Sequence, residues 1–573
     1  MKSWILRNDP PIEIEKELET FSPLVRRLLY YRGIETADAA EKFITPIYER
    51  DIHDPMLMLG MERAVGRILR AMKENEHIVV FGDYDADGIP GAAIMHTFFK
   101  KIGYENFEVY IPDRYTEQYG LAIEIVELFA ERGTKVMITV DCGITDVEEI
   151  ERAQALGIDV ILTDHHLPHD LLPPAYAIIN NKQTNDKYPF KYLCGATTAW
   201  KLVQGILQKE KSDLPDGWEK WLLDLVAIAT ICDMVPLQGE NRVVAQYGLQ
   251  VLRKSPRVGI QVLAKKMKIN QQYISEDDIA FSFGPRINIA SRMTHGVDAF
   301  TLLTTDDYAV ANILCDQLQS RNEERKETVQ MIIDSINNEF ALAEPPALIA
   351  RGNESWRIGV LGLTATRIME KYERPICLWA RNHVGELKGS VRSDGTVNVV
   401  ELFEVAGGNS FFIDYGGHYH SGGFSLAAER EAELESRLIN AYAKIKNNDS
   451  EFTKLYIDRE LVLDDVIWEK YKEIEKLAPF GMGNPKPVFL FRSVEIIKVR
   501  EFGKNGNTHL ELTFKKSDGK HVTAIAFFTN TYTFGEEPLK AGKFIDMAAN
   551  FEKSMFRSFP ELRLKIVDIR NPK

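Results

Sequence analysis

Between residues 77 and 163, short apolar runs alternate with longer amphipathic stretches. HIVVF at 77–81, EVYIP at 108–112, KVMITV at 135–140 and DVILT at 159–163 have the near-continuous apolar character of strands covered on both faces. Helical spacing fills 93–102, about 121–132 and about 146–156 between them. This alternation predicts an α/β fold, a doubly wound parallel sheet. Residues 217–237 (GWEKWLLDLVAIATICDMVPL) predict a mostly apolar, buried helix ending at Asp233. Residues 1–60 read as a small helical lead-in (IEKELETF, SPLVRRLLYYRG, TADAAEKFI), and the first domain proper as 61–300. The polar, helix-prone stretch 301–341 predicts a connecting helix, with Pro345-Pro346 marking a boundary. Strands at ALIAR and PICLWA around a helix at 362–372, closed by a helix at about 428–446, predict a smaller α/β domain over 342–450. From 453 to 573 short β-rich runs, such as HLELTF and HVTAIAFF, lie between turns such as GKNGN and KSDGK, which predicts a small β-barrel.

At 573 residues the chain is too long for one core. A composition of 45% hydrophobic and 27% charged residues is that of an ordinary globular protein. No apolar run approaches the roughly 20 residues needed to span a bilayer, so no membrane association is expected. MKSWILRNDPP has no apolar core of a secretory signal. The five cysteines (Cys142, Cys194, Cys232, Cys315, Cys377) are far apart and form no CxxC pair. They point to a reducing cytoplasm and away from disulfides or a thiolate zinc site. A net charge of −14 disfavours non-specific coating of nucleic acid. The charge is uneven, however: residues 453–573 carry 21 Lys and Arg against 17 Asp and Glu. The acidic excess elsewhere is what carboxylates clustered to hold cations would leave.

The placement of acids and histidines carries the chemistry. Asp83, Asp85 and Asp87 sit just past the first expected strand, Asp141 just past the third, and Asp164, His165 and His166 just past the fourth. Open parallel sheets bind ligands at the carboxyl ends of their strands. Asp233, in the polar break after the apolar helix, is able to reach the same edge. So many carboxylates and imidazoles repel one another without cations; two divalent ions ~3.5–4 Å apart resolve this and drive in-line phosphoryl hydrolysis. Mixed oxygen and imidazole donors suit manganese or magnesium better than zinc. Each piece also has a plain reading. DxDxDG resembles the start of a calcium loop, but the twelfth position is Ile94 and a strand precedes it where such a loop needs a helix. A single Asp after a strand usually caps a helix, and neither a lone His pair nor Asp233 alone would be specific. The joint placement is.

GDYDADG, DCGI, TDHH and ICDMVPLQGENR resemble the four ordered motifs of the DHH phosphoesterase superfamily. FGPRIN at 283–288, GSVRS at 389–393, YGGH at 415–418 and APFGMGNPKPVF at 478–489 narrow the resemblance to the RecJ family, single-strand-specific 5′-to-3′ DNA exonucleases of bacteria. It runs from about residue 20 to the C-terminus. The resemblance implies a doubly wound DHH domain, a smaller DHHA1 domain and a C-terminal oligonucleotide-binding (OB) barrel. It implies two Mn2+ or Mg2+ ions held by Asp83, Asp85, Asp87, Asp141, His165 and Asp233, and leaves open which motif-one aspartate stands behind the ions. By the same resemblance His166 faces the scissile phosphate, Asp164 orients an imidazole, and Ser390, Arg392 and His418 contact phosphate. Arg286 and Asn288 bind the DNA 5′ end, and Arg114 lies near the phosphates. The expected setting is DNA repair and recombination on single-stranded DNA in the cytoplasm, as a monomer beside a single-strand-binding protein and a repair helicase.

The residue types suit these roles: Arg offers a bidentate fork to phosphate, and glycine runs let backbone N–H groups approach an anion. GGHYHSGGF also fits a plain turn between strands. Four places depart from the family: Pro90-Gly91 after motif one, Ile289-Ala290-Ser291-Arg292 after PRIN, Trp356-Arg357 where Trp-His is usual, and His420-Ser421-Gly422-Gly423 after GGH. In the barrel Phe489, Phe491, Arg492, Lys498, Arg500 and Phe502 are candidates for gripping a strand, with strand phase deciding which face outward. Two other readings remain open: a DHH phosphodiesterase of oligoribonucleotides or cyclic dinucleotides, whose members usually end after the second domain, and a non-catalytic replication scaffold.

Overall fold

The structure is a computed structural model that describes residues 3–572 apart from 115, 116, 118, 119, 342, 383, 448–453, 504–507, 536 and 556–558. The expected GKNGN turn and the expected start of the third domain at 453 fall largely outside the described residues. No helix among the described residues is long and apolar enough to cross a membrane. The chain forms two compact units: Trp4–Gly284 with Phe300–Ala311 and Tyr456–Lys573, and Pro285–Ala299 with Asn312–Leu455.

The larger unit is built on a five-stranded, all-parallel sheet of β1 (Ile78–Gly82), β2 (Phe107–Tyr110), β3 (Val136–Val140), β4 (Asp159–Thr163) and β5 (Ala177–Ile179), in the order 2-1-3-4-5. Every residue of β1 and β3 is buried, because helices cover both faces. On one face Val79, Phe81, Met137, Val160 and Leu162 pack with Val126 and Phe129 of Ile123–Glu131 and with Ile150 and Ala153 of Val147–Ala155. On the other lie α1 (Met61–Glu74), α2 (Gly88–Lys101) and α3 (Gly195–Lys209), brought close by small residues. A Cβ on Gly91 would come within 2.5 Å of Val140, and one on Gly205 within 3.0 Å of Met61. The strand order reverses between β1 and β3, so the crevice of this sheet opens at their carboxyl ends.

Two elements differ from the pattern. The helix expected at 93–102 starts at Gly88, directly after GDYDAD. The single apolar helix expected over 217–237 is a 3-10 turn, Trp218–Leu222, followed by α4 (Leu223–Cys232), with Asp233 as its C-cap and Met234 at φ 59°. Gly217, at φ 77°, begins the 3-10 turn.

The smaller unit holds a mixed sheet of β6 (Ile349–Gly352), β7 (Ile376–Arg381), β8 (Leu387–Arg392), β9 (Asp414–His418) and β10 (Ser421–Leu426), in the order 9-10-8-7-6. Only β6 and β7 pair in parallel. The Gly-rich GGHYHSGGF is both a plain hairpin, β9 turning into β10, and an open patch of sheet.

The C-terminal region of the larger unit is a seven-stranded sheet of β11 (Arg459–Glu460), β12 (Phe489–Glu495), β13 (Lys498–Phe502), β14 (His509–Lys515), β15 (His521–Ala526), β16 (Phe544–Ser554) and β17 (Glu561–Arg570). β12 and β13 lie towards opposite ends of the strand order yet are one stretch of chain. A bulge between Phe491 and Val494, with Ser493 at φ 46°, bends it. Ile496 N then donates to Lys543 O and Ile497 N to Thr513 O, so the sheet curls closed into the barrel. The phase of β12 sends Phe489 and Phe491 into the core, both fully buried. This removes them from the candidate DNA-gripping face. The lead-in helices Pro23–Tyr30 and Ala37–Ile44 pack on the same core through Leu28, Leu29 and Phe43.

One arginine joins these parts. Arg242, on α5 (Gly239–Leu252), is 1% exposed. It donates to the carbonyls of Phe43 (2.6 Å), Leu477 (2.9 Å) and Ala478 (2.9 Å), and lies over the Phe43 ring. Burial, then the charge of Arg32, pulls its pKa down to about 9. Arg242→Met leaves the Phe43 and Ala478 carbonyls without their donor, at about 1–3 kcal/mol each before relaxation, while Leu477 O keeps its hydrogen bond from Asn484 Nδ2 (2.8 Å). Denaturant unfolding is expected to show a loss of roughly 2–4 kcal/mol, with faster protease cleavage near residues 476–488. An unchanged midpoint and unchanged cleavage would contradict the linking role.

Candidate functional site

The sheet ladder extends one step past its strands to fix the acids. Asp83 N donates to Val140 O (3.0 Å), Asp141 N to Thr163 O (3.0 Å) and Asp164 N to Ile179 O (3.1 Å). Asp141 then turns sharply, at φ 66°, a conformation that L side chains adopt only under constraint. The turn aims its carboxylate at α3, and only a glycine fits opposite. A Cβ on Gly195 would lie 2.4 Å from Asp141 Cβ.

Around this turn the expected residues converge. His165 Nε2 lies 3.1 Å from Asp141 Oδ1 and 3.7 Å from both Asp87 Oδ2 and Asp233 Oδ2. Three overlapping sets have all their donor atoms within 4.8 Å of one another: Asp83, Asp85 and Asp141; Asp87, His165 and Asp233; Asp141, His165 and His166. The carboxylates of motif one differ in what already holds them. Asp85 Oδ1 accepts from Asp87 N (2.7 Å) and Gly88 N (3.2 Å). Asp87 is taken on both oxygens by the start of α3, from Gly195 N (2.6 Å) and Ala196 N (2.8 Å). Asp83 Oδ1 and Asp233 Oδ2 are buried and have no hydrogen-bond partner among the described residues.

Asp164 works on the other imidazole. Its Oδ1 lies 2.8 Å from His166 Nδ1 and accepts from the backbone N–H groups of His165 and His166, while Oδ2 accepts from Ile144 N. Its carboxyl stays below the ordinary range despite burial, because the His166 hydrogen bond overrides the loss of solvent. Burial opposes charge on His166, but Asp164 carries it up to about 9. Burial, then the neighbouring His166, holds His165 down to about 3, so this ring is neutral and has a lone pair to offer.

The acids themselves are pushed up, by burial first and then by each other. Asp87 rises to about 6, Asp233 to about 9, and Asp83 and Asp141 well above the usual carboxylate range. Protons relieve such crowding poorly; divalent cations relieve it directly. Orphaned buried oxygens, a neutral imidazole and mutually raised acids fit hard divalent ions with oxygen and nitrogen donors.

The other expected residues fall into separate groups. Arg114 lies 5.1 Å from the Tyr84 ring centroid and acts on Asp83, at the acid cluster. In the smaller unit Arg392 of β8 pairs with Ser421 of β10, which pairs with His418 of β9, so the three share one face of the sheet. Ser390 is two residues from Arg392 and receives its Nη1 hydrogen bond (3.0 Å). Gly362 leaves room for both: a Cβ there would lie 2.6 Å from Arg392 Nη2. Arg286 and Asn288 also belong to this unit, on the helix Gly284–Met293, where Arg286 holds Gln319 Oε1 through Nε (3.0 Å) and Nη2 (2.7 Å).

Sequence reasoning missed three contributors. Gly195 and Ala196 act through their backbone, on a helix whose burial on every side hides its period. Lys182 acts by its charge on Asp233 and Asp164. Among the exposed aromatics of the barrel, Phe527 and Phe528 (39% and 70% exposed) surround His509 together with Phe502. The FF at the end of HVTAIAFF, leaving a strand, was the available signal. Arg500 lies over Phe502; Arg492 and Arg500 pair with Glu460 and Glu511. Lys498 is exposed.

Three family models match the chain: DHH family, N-terminal domain, over 77–230; DHHA1 domain over 344–444; and RecJ OB domain over 457–568. The single-stranded-DNA-specific exonuclease RecJ of Haemophilus influenzae is 30% identical over 588 residues, covering 100% of both chains. That of Bacillus subtilis is 35% identical over 505 residues, 87% of this chain but 62% of that one, so this chain spans less than two thirds of that relative. The crystal structure of RecJ in complex with Mn2+ from Thermus thermophilus superposes with a TM-score of 0.81 at 26% identity, covering 100% of this chain and 80% of that one.

The raised groups give a pH dependence with a definite sign. Asp233 (about 9, from 3.8) and His166 (about 9, from 6.5) both hold protons more tightly folded than unfolded. Their stabilising contribution is present at low pH and lost as pH rises through about 9. In chelator, the thermal midpoint is expected to fall between pH 6.5 and 9, to fall less in Asp233→Asn, and to be restored by Mn2+. A midpoint flat across that window would contradict the electrostatic account.

Proposed function

Because the chain belongs to the RecJ family of single-stranded-DNA-specific exonucleases, we propose that it releases mononucleotides from the 5′ end of single-stranded DNA by metal-dependent hydrolysis. The observation that carries this reading is the convergence of acids and imidazoles from β1, β3, β4 and the end of α4 at one edge of the sheet.

Asp83, Asp85, Asp141, His165 and Asp233 are the residues proposed to hold the ions. Asp87, with both oxygens engaged by the start of α3, stands behind them and fixes their spacing from that helix. Two Mn2+ or Mg2+ ions bound there supply charge neutralisation at the scissile phosphate and an activated water for in-line attack. His166, half exposed and hydrogen-bonded through Nδ1 to Asp164, whose carboxylate favours the charged form of the ring, is placed to present an N–H to the phosphate as negative charge develops on it. Asp164 is the positioning group for that ring. Arg114 is suited to a neighbouring phosphate, and Arg392, Ser390 and His418 to the terminal one. Arg286 and Asn288 are assigned to the 5′ end, on family resemblance. The exposed Phe527 and Phe528, with Phe502, offer faces on which further bases stack.

The five-part division read from the sequence goes with this proposal. So do work beside a single-strand-binding protein and a repair helicase in the cytoplasm, and action as a monomer; family resemblance alone supports these. A phosphodiesterase of very short oligonucleotides has no use for the C-terminal barrel. A scaffold has no need of a full acid set.

Asp141→Ala and His165→Ala are expected to lower exonuclease activity by roughly three orders of magnitude or more, with an unchanged circular dichroism spectrum. Digestion of end-labelled strands with each terminus blocked in turn reads polarity, and only a 5′ block is expected to protect. Near-normal turnover in either variant would overturn the metal assignment. Phe528→Ala is expected to weaken binding of a 40-mer by about 5- to 150-fold, from ~1–3 kcal/mol per stacked base. Cleavage of a tetramer should be unchanged; equal affinity for the 40-mer would remove the stacking role.

A further inference from the structure

Asp83, Asp141 and Asp164 are each held by a sheet rung one step past their strand, but His166 lies two residues beyond the last of these rungs. After it, residues 167–172 run as irregular chain, with Leu167 69% and Leu171 68% exposed. His166 therefore stands at the border between a pinned sheet edge and an exposed loop.

One buried side chain spans that border. Asn180 directly follows β5 and is 0% exposed. Its Nδ2 donates to His166 O (2.9 Å), and its Oδ1 accepts from Lys182 N (2.8 Å). A carbonyl only accepts and a backbone N–H only donates, so the partners fix which end of the amide is which. Asn180 is itself braced. Its carbonyl accepts from Gln183 N (3.2 Å) and Gln183 Nε2 (3.1 Å), and the same Nε2 reaches Ile178 O (3.1 Å). Next to it, Asn181 Nδ2 donates to Phe190 O (2.8 Å).

Asp164 and Asn180 restrain His166 in different ways. Asp164 bonds the ring and the amide of a residue two places along the same turn, which sets the imidazole against its own loop. Asn180 takes the His166 carbonyl from the chain that leaves the next strand, which sets that loop against the sheet. Both restraints are needed to place the ring relative to acids from other strands, such as Asp141, whose Oδ1 is 3.9 Å from His166 Nδ1. Aspartate at position 180 would have the same shape and keep the Lys182 bond, but a carboxylate has no proton to donate to His166 O.

We propose that Asn180 is a positioning residue for the reaction: by holding the His166 carbonyl to the end of β5, it keeps the imidazole at the acid cluster in the pose from which the ring meets the scissile phosphate. This rests on the reading of the chain as a single-strand exonuclease and adds to it a residue that acts only through His166.

The test uses the full chain with Mn2+ and dT30, in the wild type, Asn180→Asp, Asn180→Ala, His166→Ala and the pair His166→Ala/Asn180→Asp. Asn180→Asp is expected to lower kcat by about 10- to 100-fold, as for other groups that orient an active-site residue, with KM changed by less than about threefold. In the His166→Ala background the same change is expected to cost less than about twofold in kcat, because the residue it acts through is gone. Asn180→Ala, which adds no charge, is expected to show the same split between kcat and KM. Its affinity for Mn2+, read by calorimetry without DNA, is expected to stay within about threefold of the wild type, since no ion-holding group is moved. If Asn180→Ala unfolds, the isosteric Asn180→Asp and its cycle with His166→Ala still decide the matter. A loss of equal size with and without His166, or full activity in both Asn180 variants, would overturn the proposal. His166→Ala at wild-type kcat would remove the role of that ring and this proposal with it. A wild type that does not digest dT30 would overturn the exonuclease reading itself.

Discussion

The structure is organised around a costly arrangement: three aspartates and an imidazole held nearly dry, with a fourth aspartate, Asp233, a quarter exposed beside them. Asp83, Asp87, Asp141 and Asp233 are all pushed towards the protonated state by loss of solvent and then by each other. Left to relax, such groups would turn outward to water. They are prevented from doing so by backbone: the sheet ladder pins the residues after β1, β3 and β4, and the first N–H groups of α3 take both oxygens of Asp87. The scaffold thus meets the electrostatic cost before any ion arrives, which is what preorganisation of a metal site requires.

The rest of the chain repeats this logic with the opposite sign. Arg392 stands beside Ser390 and an empty glycine position, with no acid paired to it among the described residues. Where a cation is to be neutralised for structural ends, the fold uses carbonyls, as around Arg242, or carboxylates, as around Lys201, which meets Glu240 with both side chains fully buried. Satisfied charges hold parts together, and unsatisfied ones mark where a ligand of opposite sign belongs.

Much of this was legible in the sequence because it depends on position along strands. A run such as KVMITV ending in Asp141 can be read directly, as can the clustering of seven acids and imidazoles after three such runs. What could not be read depends on three-dimensional company. α3 is buried all round over Gly195–Ile206, so nothing in GATTAWKLVQGILQK marks a functional face, and its role at Asp87 is played by main-chain N–H groups. Phe489 and Phe491 had the right residue type for stacking on bases, but the register of β12, with Phe489 opposite Ala549 and Phe491 opposite Met547, turns both inward.

Asp141 and Gly195 carry a further implication. The left-handed turn at one needs the missing side chain at the other, since any Cβ at 195 would occupy the space of the Asp141 carboxylate. Neither position can drift by itself without disturbing the acid cluster. The two are thus bound to a common fate in descent, and a viable lineage that altered one would have to carry a matching change in the other, making this pair a barrier that separates working sequences from their nearest neighbours.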